Sequence, residues 1–243
     1  MEIDSEKYYK ERQIKIIKEI SPLLESIKDD LVLEVGEDEA TRLFEKFYRM
    51  WDSIISEIPY IGGDRNIFTR NLDHTVPGIA MWKVLKAEGW PIEKFAPIYL
   101  KGVHNYIKRK YSGLKRLMIR LLMKYIVNKW TIKKLINKQK KLSEKYPENF
   151  IIEYVECDRK NYDYGYNISK CTIVEFGKSQ DAEEILPYIC LIDWYKAYYS
   201  KSGLIRSKTL SEGCKYCDYR FKKGSPSRNL QKTKIPDGLK PWE

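Results

Sequence analysis

The chain has 243 residues, of which 43% are hydrophobic and 33% charged. That is the composition of a folded globular protein, and it excludes a disordered one. No stretch reaches the roughly eighteen apolar residues that would cross a bilayer.

Length suits one compact unit or two small domains. Met1 to Lys7 is charged and lacks an apolar core, so no signal peptide is expected. A cytoplasmic location follows as the expectation, with five cysteines as free thiols. The net charge of +11 is local: of 45 Lys and Arg, thirteen fall between Lys108 and Lys141, where there is no Asp or Glu. The remaining 32 face 34 acidic side chains, so the protein is near neutral apart from one basic segment.

In chain order, Tyr8 to about Leu33 reads as a charged helical stretch that Pro22 interrupts or restarts. From Gly36, the residues Ala40, Leu43, Phe44, Phe47, Trp51, Ile54, Ile55 and Ile58 fall mostly three or four apart. They line one stripe of an amphipathic helix that Pro59 ends. A loop follows in which Gly62 and Gly63 allow positive φ. A helix is expected from about Pro77 to Glu88, and another from Pro91 with Phe95, Ala96, Tyr99, Val103 and Tyr106 on its inner side. The basic segment, split by Gly113, continues a helical period through Leu117, Leu121, Tyr125 and Trp130 towards Ile136.

Near Tyr146 the composition changes. Asn149 to Cys157 reads as a strand, and Asn167 or Ser169 can cap a short helix carrying Cys171. A longer helix is expected from about Asp181 to Ser200, closed by Gly203. Leu204–Leu210 and Lys215–Lys222 read as two strands, and the tail from Ser225 as a mobile extension or a strap. The resulting organisation is a helical region, 1–145, with the basic amphipathic segment 108–141. An α+β region, 146–224, and a tail, 225–243, follow, and by length all are expected to form one compact unit. The fold class is α+β: a helical N-terminal half packed with a C-terminal unit of a small antiparallel sheet and helices.

His74 and His104 stand apart, so no histidine metal site is expected, and no Gly-rich phosphate motif occurs. Thiols and carboxylates are the better candidates. Cys190 and Asp193 are three apart on an expected helix and share a face. Along Cys217 to Phe221 side chains alternate, so Asp218 and Arg220 form a polar face that could hold a charged small substrate. Cys217, Tyr219 and Phe221 face the core, and Cys217 is as well explained by packing as by catalysis. Cys214-x-x-Cys217 lacks the second pair of a zinc site and the helix N-terminus of a redox pair, which favours ordinary thiols. For the basic segment the preferred reading is a helix packed on the core with a solvated basic face. An anionic membrane surface is the partner kept beside it, and no nucleic acid is expected.

The second half carries Asn161-Tyr-Asp-Tyr-Gly-Tyr-Asn-Ile-Ser-Lys-Cys171, then Ile185-Leu-Pro-Tyr-Ile-Cys190-Leu-Ile-Asp193. Leu204-Ile-Arg206-Ser-Lys-Thr209 follows, with Gly213-Cys-Lys-Tyr-Cys217-Asp218-Tyr-Arg220-Phe221 after it. Together with Ile58-Pro-Tyr-Ile-Gly-Gly-Asp-Arg-Asn66, these resemble the L-2-amino-thiazoline-4-carboxylic acid hydrolase family over roughly residues 40 to 224. Ser207 stands where the family pattern has Thr, Tyr219 where it has Phe, and the basic run is no feature of the pattern. The resemblance implies a hydrolase that opens 2-aminothiazoline-4-carboxylate to N-carbamoyl-cysteine, without metal or cofactor. It implies Asp193 or Asp218 as amidinium contact and general base, and Cys190 or Cys217 as nucleophile if catalysis is covalent. Arg206 or Arg220 would bind the substrate carboxylate, and Thr209 would orient a polar group. A related thiazoline, amide or amidine substrate, a non-catalytic small-molecule binder, and a membrane-peripheral protein built on 108–141 are the alternatives.

Overall fold

A computed structural model of the chain describes residues 5–157 and 160–240. Residues 1–4, on which the leader reading partly rests, and 241–243 of the tail lie outside the described residues. In chain order the elements are α1 (Ser5–Val35), α2 (Glu37–Ile54), α3 (Thr69–Ala87), α4 (Ile92–Lys110), α5 (Gly113–Leu121), α6 (Lys129–Lys145), β1 (Ile151–Val155), β2 (Tyr164–Lys170), α7 (Thr172–Ser179), α8 (Leu186–Cys190), α9 (Ile192–Ser200), β3 (Leu204–Arg206), β4 (Cys217–Phe221) and β5 (Arg228–Asn229). The fold is α+β, mostly helical, with one small sheet in the C-terminal part. No helix among the described residues is long and apolar enough to cross a membrane.

The chain divides into two compact units, Met1–Tyr106 with Thr172–Ile189, and Ile107–Cys171 with Cys190–Glu243. The first is helical. Its core takes the whole expected stripe of α2, from Ala40 to Ile54, together with Ile55 and Ile58. The Gly62–Gly63 turn has φ of 110° and 56° and is tied down by Asn66 Nδ2 donating to Ile61 O (2.6 Å) and Thr69 Oγ1 to Gly63 O (2.7 Å). Two expectations are corrected here. Pro22 does not interrupt α1, and α3 starts at Thr69, eight residues before Pro77. An interior proline costs about 3 kcal/mol. Ile20, Leu23, Leu24 and Ile27 around Pro22 are buried, at about 1.5–3 kcal/mol each, and outweigh it.

The second unit contains the five-stranded sheet, ordered β1-β2-β4-β3-β5. Its first four strands pair antiparallel, and β5 pairs parallel to β3, so the sheet is mixed where an antiparallel one was expected. The extra strand comes from the tail, which is a strap. Residues Tyr164–Lys170 form a central strand, not the approach to a cap: Asn167 lies opposite Asp218, and α7 begins only after Cys171. Cross-strand stacking of Tyr164 on Phe221 and Tyr166 on Tyr219, each with centroids 4.9 Å apart, overrides the local capping tendency.

The basic segment does not run as one helix. A π-turn over Leu122–Ile126 ends α5, and Asn128 starts α6 with a capping box. Asn128 Oδ1 accepts from Trp130 N (2.9 Å) and Thr131 N (3.1 Å), while Thr131 Oγ1 accepts from Asn128 N (2.9 Å). Nor does the Asp181–Ser200 helix run unbroken: it divides into a 3₁₀ turn, Glu183–Ile185, then α8 and α9. At the joint, Trp194 N donates three residues back to Leu191 O (3.0 Å), and the Cys190 carbonyl accepts from Arg206 Nη2 (2.5 Å).

Gly203 precedes β3 with φ of 68°, and a Cβ there would lie 1.8 Å from Lys222 O. Gly203→Ala is expected to lose at least about 3 kcal/mol through strain and overpacking. A thermal melt would show this as a fall of roughly 6 °C or more.

Candidate active site

The centre of the second unit is a buried cation. Arg206 ends β3 with 1% of its surface exposed. Its Nε donates to Gln231 Oε1 (2.9 Å), Nη1 to Asp193 Oδ2 (3.0 Å) and to the Tyr219 hydroxyl (2.6 Å), and Nη2 to the Cys190 carbonyl. The Tyr219 hydroxyl in turn donates a hydrogen bond to Asp193 Oδ2 (2.6 Å). Four chain segments therefore converge on one guanidinium: the α8–α9 joint, β3, β4 and the strap.

Asp193 is the edge of this cluster that meets solvent, with a third of its side chain exposed and Lys196 Nζ 3.9 Å away. Burial pushes its carboxyl up, but Lys196, Arg206 and the Tyr219 hydrogen bond together hold it below the ordinary value. It is a carboxylate at neutral pH. Burial also pushes the Tyr219 hydroxyl well above its usual value, so it remains a donor. Arg206 is pulled down by burial, yet Tyr219 and Asp193 keep it above the ordinary range.

The thiols stay protonated. Burial raises Cys190 against the opposing effects of Arg206 and a hydrogen bond with Ser211. Burial and the neighbouring Cys190 push Cys217 up to about 12, although its sulfur accepts from Leu210 N (3.2 Å). Thr209 is wholly buried and joins this side through Ser211, whose hydroxyl donates to Thr209 Oγ1 (3.1 Å). Cys190, Asp193, Arg206, Thr209 and Cys217 thus belong to one neighbourhood.

Asp218 and Arg220 lie on the other face of β4. Asp218 accepts from Ser207 N (2.9 Å), Ser207 Oγ (2.6 Å) and Lys208 N (2.5 Å), which fixes the turn after β3. Arg220 donates to the carbonyls of Tyr166 (3.0 Å) and Tyr219 (2.9 Å) and to Asn167 Oδ1 (2.9 Å). Both side chains are occupied in holding strands together. Among the described residues no group of three or more His, Cys, Asp or Glu is arranged to hold a metal ion.

Sequence reasoning missed Tyr219, Lys196, Ser211 and Gln231. Tyr219 was legible as sharing the Cys217 face of β4, and Lys196 as one turn along from Asp193. No local signal marks Gln231.

A model of the L-2-amino-thiazoline-4-carboxylic acid hydrolase family matches residues 72–221, well over half of the chain. No curated protein and no solved structure gives a significant match.

At pH 8 a thiol shifted to about 12 is almost wholly protonated, so Cys217 should alkylate with iodoacetamide about a thousandfold more slowly than an ordinary thiol. Peptide mass spectrometry checks the order of labelling. The same raised value stabilises the fold fully below the ordinary thiol range, near 8.5, and that stability is lost as pH climbs towards 12.

Proposed function

Because the chain belongs to the L-2-amino-thiazoline-4-carboxylic acid hydrolase family, we propose that it is a hydrolase opening a small ring with adjacent C–N and C–S bonds. In this reading 2-aminothiazoline-4-carboxylate is the substrate and N-carbamoyl-cysteine the product. One observation carries it: an ionised, partly exposed Asp193 is fixed by a buried guanidinium beside thiols that keep their protons.

Water oxygen bonds to the ring carbon between nitrogen and sulfur, and the carbon–sulfur bond then breaks. The two water hydrogens end on the ring nitrogen and on sulfur. Asp193 holds the amidinium, which its depressed pKa suits because the carboxyl stays ionised, and it accepts the proton from water as that water adds to the ring carbon. Cys190 supplies the proton that the leaving sulfur needs and is reprotonated by the proton that Asp193 took from water, and Cys217 lies behind it. Raised thiol pKa values favour this donor role over a resting thiolate nucleophile. Lys196, one turn from Asp193, receives the substrate carboxylate. Arg206 works by positioning Asp193 and Tyr219, and Thr209 by positioning Ser211 against Cys190. Asp218 and Arg220 maintain the sheet that carries the site.

The test is incubation of the full chain with 2-aminothiazoline-4-carboxylate, following N-carbamoyl-cysteine by mass spectrometry. Asp193→Asn is expected to lose at least about a hundredfold in kcat/KM, while Asp218→Asn keeps most of it. No product from folded, reduced protein would detach this substrate and direct the search to other amidines and amides.

Tyr219→Phe gives a sharper reading, since it restores the residue of the family pattern and deletes only the hydroxyl. Loss of a hydrogen bond to the ionised carboxylate raises the Asp193 pKa. The acid limb of the kcat/KM profile should therefore move to higher pH, with the fold retained.

A further inference from the structure

The helix α5 is built inside out. Leu114, Leu117, Met118 and Leu121 recur at helical spacing and form one stripe, yet they are 71%, 54%, 61% and 46% exposed. The other side of α5 faces the protein with cations: the Arg116 guanidinium lies 5.4 Å over the Tyr199 ring, and Arg120 Nε donates to Tyr199 O (3.2 Å). A helix of a globular protein normally does the reverse. The stripe continues through Leu122, Tyr125 and Ile126 to Trp130 at the start of α6, all exposed. Over α5 and the π-turn the apolar side thus does not pack on the core as expected, whereas α6 does bury Ile132 and Ile136.

We propose that this face docks on an anionic lipid surface. The exposed stripe is flanked by Lys108, Arg109, Lys110, Lys115, Lys124 and Lys129, and no Asp or Glu occurs from 108 to 141. Lys side chains lay their stems along apolar surface and present their charge to headgroups. Trp130 and Tyr125 are the residue types that settle at the headgroup level. A second copy would bring an equally cationic face against this one, which like charge opposes. Nucleic acid would meet the charge but leave the leucines in water. Since no helix among the described residues can span a bilayer, the segment lies on the surface. The inference is independent of the proposed reaction.

The experiment is co-sedimentation of the full chain with vesicles of phosphatidylcholine and phosphatidylserine, against vesicles of phosphatidylcholine alone. Binding is expected only with the anionic lipid, falling about tenfold or more between low and high salt. Leu117→Ser with Leu121→Ser should weaken it about tenfold or more, with an unchanged melting temperature because both positions are exposed. Lys115→Glu with Lys124→Glu should weaken it likewise. Failure to bind anionic vesicles at low salt would overturn the proposal. So would binding that ignores the serine substitutions, a dimer that those substitutions dissociate without any lipid binding, or capture of single-stranded RNA in place of vesicles.

Discussion

A guanidinium taken out of water must find its acceptors and counter-charge inside the protein, and the second unit is arranged around that demand at Arg206. A carboxylate answers the charge, a carbonyl at a broken helix and a side-chain amide answer two more N–H groups, and a tyrosine hydroxyl bridges cation to anion. Each partner comes from a different segment. The joint between α8 and α9, the placing of Asp193 at the start of α9 and the return of the strap all serve the same group. Removing one partner of such a cluster leaves an uncompensated charge, typically costing about 3–5 kcal/mol. The site is therefore as rigid as the fold that surrounds it.

The faces of β4 divide the labour. Alternation sends Asp218 and Arg220 to one side, where they bind backbone and hold β3 and β2 in place. It sends Cys217 and Tyr219 to the other, into the Arg206 cluster. One short strand thereby both joins the Arg206 cluster and secures the frame around it. The replacement of the pattern's Phe by Tyr219 adds a second hydrogen bond to Asp193, and so ties the acidity of this carboxylate to the sheet itself.

What could be read in advance follows from range. The α2 stripe, the Gly62–Gly63 turn and the alternation of β4 depend on neighbours within a few residues, and all three appear as expected. The Cys190–Asp193 spacing does place both residues against Arg206, although a helix break lies between them. Pro22 and Pro77 misled because their local cost is smaller than the burial around them. The strand β2 was hidden because its partners are distant in sequence and its own residues also suit a cap. Gln231 was invisible because only the strap's path gives it a role. The outward leucines of α5 obeyed the right period, but periodicity says nothing about which side faces the protein.

The parallel pairing of β5 with β3 also bears on solubility. Leu230 N donates to Arg206 O (2.9 Å), and the strand itself is only two residues long. Asn229 turns its side chain back to Thr233 O (3.1 Å), and Arg228 is exposed. A short, charged border of this kind gives a foreign strand little to pair with. Cut away, it would uncover the backbone of β3, and the sheet that holds the cluster would become a template for aggregation.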